Sequence, residues 1–412
     1  MTPRDRILTA LNHQQPDCVP IDLGGHRSSG IMAIAYNKLK KYLGITSGDI
    51  YVYDMVQQLA LIEEPIPDLF GIDTIEMGRG FLLNESDWKE WLLPDGTPSK
   101  IPSYISLKKR GDDWLLLNDR GLELGVQKKG CLYFEQIYYP LAERGIADDD
   151  FCDLEERLGE NIWSIPHPGA HLDINDENQL QQMVAGAKKL RMATDRAIIG
   201  LFGGNMFETP QMMYRTDNWL LYHLMYPQQA HAFLEKLAHI HLKNLEKWLS
   251  AVGRYIDIIL FGDDLGSQSG PLVSVDMYRE FYKPYHKMLW NRAKQLADVK
   301  VLLHSCGAIE PFIDDFIDAG LDAVNPVQIS CSGMDARSLK KKYAGRITLW
   351  GGGCDTQSIL PDASPDVVKK HVKKQMNILA PGGDFVFQQV HNIMANVPPE
   401  NIVAMLEAVE QY

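Results

Sequence analysis

At 412 residues, 45% of them apolar, the chain is long enough for one large barrel with insertions or for two domains. A net charge of −13 with no basic stripe excludes non-specific nucleic-acid binding, while a local basic pocket for an acidic substrate stays open. Six scattered cysteines exclude a disulfide framework, and no signal peptide or apolar stretch of membrane-spanning length is present, so the expected compartment is the reducing cytoplasm.

Thr2-Pro3-Arg4-Asp5 reads as a helix start, with Thr2 as N-cap, Pro3 at the first helical position and Asp5 where a capping acid sits. Ile7, Leu8 and Leu11 give that helix an apolar stripe, and it should end near His13. A short strand over 18–25 runs into glycines. Residues 30–43 form an amphipathic helix, 55–63 a second helical stretch, and 71–78 the next strand. Between about 80 and 139 the pattern changes. Asp95-Gly96, Gly111-Asp-Asp and Arg120-Gly121 are turn signals between short aromatic and β-branched runs, which predicts an inserted antiparallel β-meander. Its aromatics (Trp88, Trp91, Tyr104, Trp114, Tyr133, Phe134) are expected to pack against the rest of the molecule.

After Pro140, helical segments alternate with short apolar runs at 197–202, 256–261, 299–303, 323–327, 347–350 and 385–387. With the two N-terminal runs that makes eight. Near-continuous apolar strands alternating with helices mean a buried parallel sheet. Eight such units predict an α/β TIM (β/α)8 barrel, one domain over 1–412, with its site at the strand C-terminal ends. A doubly wound open sheet is the alternative; no G-x-G-x-x-G follows the first strand, and there is no P-loop.

The strand ends carry the chemistry. His304 and Cys306 close the run at 299–303 and, two residues apart, face the same side. Cys354 closes the run at 347–350, and His391 follows the run at 385–387. A cysteine alone is usually a small buried hydrophobe. Four such residues at the ends of three strands instead predict a metal or thiol site, and thiolate ligands favour zinc. The expected set is His304 and Cys306, completed by Cys354 or His391. Asp263 and Asp264 end the fourth run, and Glu208 and Asn205 follow the third. Paired carboxylates there suit proton transfer, metal-ligand orientation or binding of a cationic donor, so Asp263, Asp264 and Glu208 are the candidate catalytic groups; one of the aspartates capping the following loop is the competing reading. Asp22, His26, Arg27 and Asp54 after the first run, Asn205 after the third and Gln328 after the sixth are the candidate substrate contacts.

Arg4-Asp-Arg-Ile-Leu-Thr-Ala-Leu11 with Pro16-Asp-Cys-Val-Pro20 resembles the opening of the uroporphyrinogen decarboxylase superfamily. Phe261-Gly-Asp-Asp-Leu-Gly-Ser-Gln268, Tyr278 to Tyr285, His304-Ser-Cys-Gly307, Gly351-Gly-Gly-Cys-Asp355, His391-Asn-Ile393 and Pro399-Glu-Asn401 extend the resemblance over essentially the whole chain. The resemblance implies a distorted TIM barrel and one of two activities. Decarboxylases of the superfamily use no metal and clamp a propionate-rich tetrapyrrole with an arginine-rich segment after the first strand. Its methyltransferases carry zinc in a His-x-Cys…Cys pattern. Here His304 and Cys306 keep the His-x-Cys, His391 stands where the last Cys is expected, and Gly24-Gly-His-Arg-Ser-Ser29 offers one arginine.

The expectation is therefore a zinc-dependent methyltransferase moving a methyl group between a small donor (a methoxyaromatic, as in O-demethylation, a methylamine or a thiol) and a corrinoid protein. The corrinoid is expected on a separate partner, because the chain lacks an Asp-x-His-x-x-Gly cobalamin motif. The alternative is a decarboxylase of a carboxylated substrate, with Arg27 as anchor and Asp54 or Asp264 as the acid. A degenerate barrel used only for binding is disfavoured by the intact His304, Cys306, Cys354 and His391. No nucleic-acid or membrane partner is expected, and a homo-oligomer is compatible with the sequence.

Overall fold

The computed structural model describes residues 1–82, 84–164 and 173–412. Seven parallel strands form one sheet in chain order: Thr74–Glu76, Ala197–Gly203, Ile258–Gly262, Lys300–His304, Ala323–Asn325, Thr348–Trp350 and Phe385–Val386. The segment around Ile21 bridges the two outer strands. Asp22 N donates to Phe387 O and Phe387 N to Pro20 O, both at 2.8 Å, and Asp73 N donates to Ile21 O at 2.8 Å. The sheet thereby closes into the expected barrel: seven of the eight apolar runs form its strands, and the run read as a strand at 18–25 contributes only the bridge at Ile21. Closure pairs both outer strands of this sheet through one short segment.

Alternation along the strands sorts their side chains. Ile199, Ile258, Leu260, Leu302, Ala323, Trp350 and Val386 fill the interior together with Ile7, Ala10 and Leu11 of the helix Pro3–Leu11. That helix plugs the N-terminal end of the barrel. Arg4 N donates to Asp195 O, two residues before a strand begins, and Thr348 Oγ1 donates to Ala10 O at 3.1 Å. Thr2 caps the helix by accepting from Asp5 N at 3.1 Å, as expected. Burying Ile7 and Leu11 contributes about 1.5–3 kcal/mol each.

The stretch 55–63 is not helical. Val52–Asp54 pairs antiparallel with Leu59–Ala60 instead. Asp54 Oδ1 accepts from Gln57 N at 3.0 Å, and Gln58 takes a left-handed φ of 55°. A side chain bonding to the backbone two or three residues on offers the chain a turn in place of a helical turn, and here it wins. The insertion is an antiparallel meander as read. A hairpin of Trp88–Leu92 and Pro98–Pro102 is followed by the four-stranded sheet Ser106–Arg110, Asp113–Leu117, Glu123–Gln127 and Glu135–Gln136. Leu83, within the expected insertion, lies outside the described residues. Phe134 joins the outer core, and Trp88, Trp91, Tyr104, Trp114 and Tyr133 pack against it. Among the described residues no helix is long and apolar enough to cross a membrane.

Candidate metal centre

His304 is the last residue of the strand Lys300–His304, and the chain turns tightly through Ser305-Cys306-Gly307. Gly307 has φ 89°, and a Cβ there would lie 2.3 Å from the backbone of Gly266. Only glycine lets these two loops approach so closely, and Gly266 N donates to Cys306 O at 3.2 Å across the gap. Gln328 Oε1 accepts from Gly307 N at 2.9 Å and so braces the same turn. Cys306 N donates to Asp264 Oδ1 at 2.8 Å.

The turn places Cys306 Sγ 3.4 Å from His304 Nε2. His391 arrives from the other side of the mouth, its ring centroid 5.4 Å from that of His304. It is a non-glycine residue held at φ 65°, a sparsely populated conformation of the kind that gathers at functional sites. One donor atom from each of His304, Cys306 and His391 lies within 4.8 Å of the others. Tetrahedral zinc with Zn–S near 2.3 Å and Zn–N near 2.0 Å needs S···N separations of about 3.5 Å. Two imidazoles and a thiol are also the donor chemistry that zinc selects, with room for a fourth ligand.

The electrostatics suit a cation. Burial pushes the His391 pKa down to about 3, and His304, His26 and Arg27 push the same way. Burial also lowers His304, against the pull of Asp264 and Asn325. Both rings are therefore neutral at pH 7, the form that binds metal. Burial, then Asp264 and Glu208, raise the Cys306 thiol well above its ordinary value. Without a cation it is no nucleophile; a bound metal ion would draw off its proton. Asn392 N donates to His391 Nδ1 at 2.8 Å, so the neutral ring carries its proton on Nε2.

Cys354 does not join the group. Its thiol is fully buried in the layer between strands and helices, with a contact to Asp355 O at 3.8 Å, and burial raises its pKa. The strand end that carries it delivers backbone to the site and side chain to the outer core, so of the two alternatives it is His391 that meets His304 and Cys306.

The carboxylates divide in the same way. Asp264 lies at the mouth, its Oδ1 3.7 Å from His304 Nε2. Asp263 is buried and spent. It accepts from Met206 N, Phe207 N and Glu208 N at 2.7–3.0 Å and from His286 Nε2 at 2.7 Å. A carboxylate offers about four lone-pair positions, and none is left for a substrate. Asp263 instead holds the start of the helix Glu208–Tyr214 and with it the Glu208 backbone. Glu208 Oε2 accepts from Asn205 Nδ2 at 2.6 Å. Burial, then Asp264 and Asp263, raise the Glu208 pKa well above that of an ordinary carboxyl, which favours its protonated form.

Of the residues after the first strand, Asp22 is buried beneath the mouth. It accepts from Gly25 N, Ser29 Oγ, Thr74 Oγ1 and Trp350 Nε1 at 2.7–3.1 Å, with His26 Nε2 at 3.3 Å. Burial raises its pKa, but His26, Thr74 and Trp350 outweigh that and hold it low. The expectation of a substrate contact at Asp22 gives way to a bracing role, because its oxygens are all engaged. His26 is buried too, its ring centroid 6.5 Å from that of His304. Arg27 Nε lies 3.0 Å from Asp54 Oδ2, and its guanidinium lies 4.8 Å from the Trp163 ring centroid, so its charge is already matched.

Three residues at the mouth carry more than the sequence reading assigned them. Asn325 Oδ1 lies 2.7 Å from His304 Nδ1, and Gln388 contacts Asn325 in turn. Glu76 ends its strand buried, its pKa raised to about 7 by burial against the opposing pull of Arg27 and Arg79. A polar residue ending or just following an apolar strand was the available signal at all three.

Comparison with known proteins fits this architecture. The chain is 25% identical over 185 residues to a uroporphyrinogen decarboxylase of Legionella pneumophila (strain Corby), covering 45% of this chain and 48% of that protein. It thus spans about half the length of that relative. A uroporphyrinogen decarboxylase of Alkalilimnicola ehrlichii is 24% identical over 339 residues, 76% of this chain and 86% of that one. Among solved structures, a methyltransferase from Methanosarcina mazei superposes with a TM-score of 0.58 over 100% of this chain and 99% of its own, at 17% identity, which shows a shared fold. The family model for uroporphyrinogen decarboxylase (URO-D) matches residues 167–412, more than half of the sequence, and the chain belongs to that family.

Proposed function

We propose that this chain is a zinc-dependent methyltransferase that moves a methyl group between a small methylated donor and a corrinoid protein. The observation that carries the reading is the convergence of His304, Cys306 and His391 at the barrel mouth. Those three residues would hold the zinc. When bound, zinc supplies Lewis acidity to the oxygen, nitrogen or sulfur that bears the methyl group.

In this reading the chain's own residues do the rest. Glu208, whose raised pKa favours its protonated form, would supply a proton to the heteroatom that the methyl group leaves, and a corrinoid on the partner would be the methyl acceptor. Asp264 orients the Cys306 turn and offers its second oxygen to the donor. Asp263 keeps Glu208 in place. Asp54 and Trp163 hold Arg27 at the rim, where Arg27, Asn205 and Gln328 shape the donor pocket with His26 buried behind them. The expected compartment is the cytoplasm, where thiols stay reduced.

The curated relatives favour a second reading, decarboxylation of a carboxylated substrate with Arg27 as anchor. The pairing of Arg27 with Asp54 argues against it, because a polycarboxylate needs unmatched cations in its pocket. The deciding experiment is metal analysis after zinc-supplemented expression, followed by spectral titration of a reduced corrinoid protein with methoxyaromatics, methylamines and methylthiols. One bound zinc, lost in Cys306→Ser, and a donor-dependent change in the corrinoid spectrum are expected. A zinc-free protein that releases carbon dioxide from uroporphyrinogen would sink the proposal.

A further inference from the structure

A closed chain of hydrogen bonds surrounds His304, and its polarity can be read from its fixed members. Backbone carbonyls only accept. The Asn325 amide atom 3.1 Å from Trp350 O must therefore be the nitrogen, and so must the Gln388 amide atom 2.9 Å from Ser28 O. With both amides oriented, Asn325 Nδ2 also donates to Gln388 Oε1 at 2.6 Å. The remaining Asn325 atom, Oδ1, can only accept, and it lies 2.7 Å from His304 Nδ1. The ring proton is thereby held on Nδ1. Nε2 is left with its lone pair, 3.4 Å from Cys306 Sγ and 3.3 Å from Ser28 Oγ, the hydroxyl of the residue whose carbonyl anchors Gln388. Asn325 and Gln388 are fully buried, so water does not compete for these bonds.

We propose that Asn325, oriented by Gln388 and the carbonyls of Ser28 and Trp350, is a positioning residue that fixes His304 as the Nδ1–H tautomer and aims its Nε2 lone pair at Cys306 and His391. The proposal rests on the metal reading for its purpose but not for its geometry. Partners that fix the ring of a ligating histidine in this way typically change metal affinity by about 10–100-fold when removed. His391 supplies the contrast inside the same site. Its Nδ1 accepts from Asn392 N, so its ring is not preset for binding through Nε2.

The test begins with the metal-free wild type. Ring nitrogen-15 shifts, with His304 identified by the signals lost in His304→Gln, should report an Nδ1–H tautomer; an Nε2–H tautomer overturns the proposal even if no variant folds. In Asn325→Leu the tautomer should become mixed, and zinc measured by chelator competition should bind about 10–100-fold more weakly. Asn325→Asp keeps an oxygen facing His304 but loses the donor to Trp350 O and Gln388 Oε1, so it should retain the Nδ1–H tautomer whatever its affinity. If Asn325→Leu binds zinc within twofold of wild type, or Asn325→Asp turns His304 to the Nε2–H tautomer, the proposal fails. A wild type that binds no zinc would overturn the metal reading, while the tautomer measurement still decides Asn325.

Discussion

The two ends of the barrel are built from similar residue types and use them in opposite ways. At the N-terminal end charges meet charges. Asp257 accepts from Arg4 at 2.6 Å and from Arg191 at 3.0 Å, Arg6 pairs with Asp73 and Asp17, and His13 meets Asp384. Asp257 also accepts from Ile198 N, so it ties the plugging helix to the sheet. At the C-terminal end His391, Cys306 and Glu208 are half-buried, and desolvation disfavours their charged forms. A fold can hold such groups only where other contacts supply the stability, which is why the paired end and the perturbed end lie apart.

The largest effect expected from this contrast is on chemistry at the mouth. Glu208→Gln keeps the Asn205 contact but cannot give a proton, and should slow methyl transfer from an oxygen or nitrogen donor by about 100- to 10,000-fold with unchanged zinc content. A rate within a few-fold of wild type would remove Glu208 from the acid role. At the other end, Asp257→Ala leaves Ile198 N without its side-chain acceptor and Arg191 without its carboxylate partner. It should cost about 3 kcal/mol in urea unfolding, discounted because Arg4 is half exposed, and leave zinc affinity unchanged. Loss of zinc affinity in that variant would show that the ends are coupled.

Acid should reveal the mouth as the weaker end. The folded pKa is about 3 for His391 and about 4 for His241, whose shift also comes first from burial, against about 6.5 in the unfolded chain. Above pH 6.5 both states hold neutral rings and these groups add no slope. Between 6.5 and about 3 the unfolded chain binds protons that the folded one refuses, so stability falls as pH falls. Glu76 and Asp73, raised by burial to about 7 and about 6, give the opposite slope above about pH 4.5, because there the folded chain holds protons that the unfolded chain releases. The melting temperature of metal-free protein should therefore drop between about pH 4 and 3, and His391→Gln should flatten that drop; an identical pH profile in the variant would contradict the burial of the His391 ring. The smallest effect is expected at Cys354, outside the cluster. Cys354→Ala should cost about 1 kcal/mol and no zinc; lost zinc would restore Cys354 to the ligand set.

Local patterns determined the outline. The Thr2 cap, seven of the eight apolar runs and the turn signals of the meander each depend on neighbours a few residues away and appear in the structure where they were read, while the run at 18–25 is reduced to one bridge. The His304–Cys306 pair was legible for the same reason, since two residues on one strand end face one way. The helix read at 55–63 failed because the side-chain cap from Asp54, invisible to periodicity, reversed the chain. Tertiary structure alone decided between His391 and Cys354, between Asp264 and Asp263, and the part played by Asn325. Each choice turns on which way one side chain points after the barrel closes. A single left-handed residue such as His391, or one carboxylate filled by the backbone of a distant loop, sets that direction through contacts hundreds or tens of residues apart in the chain.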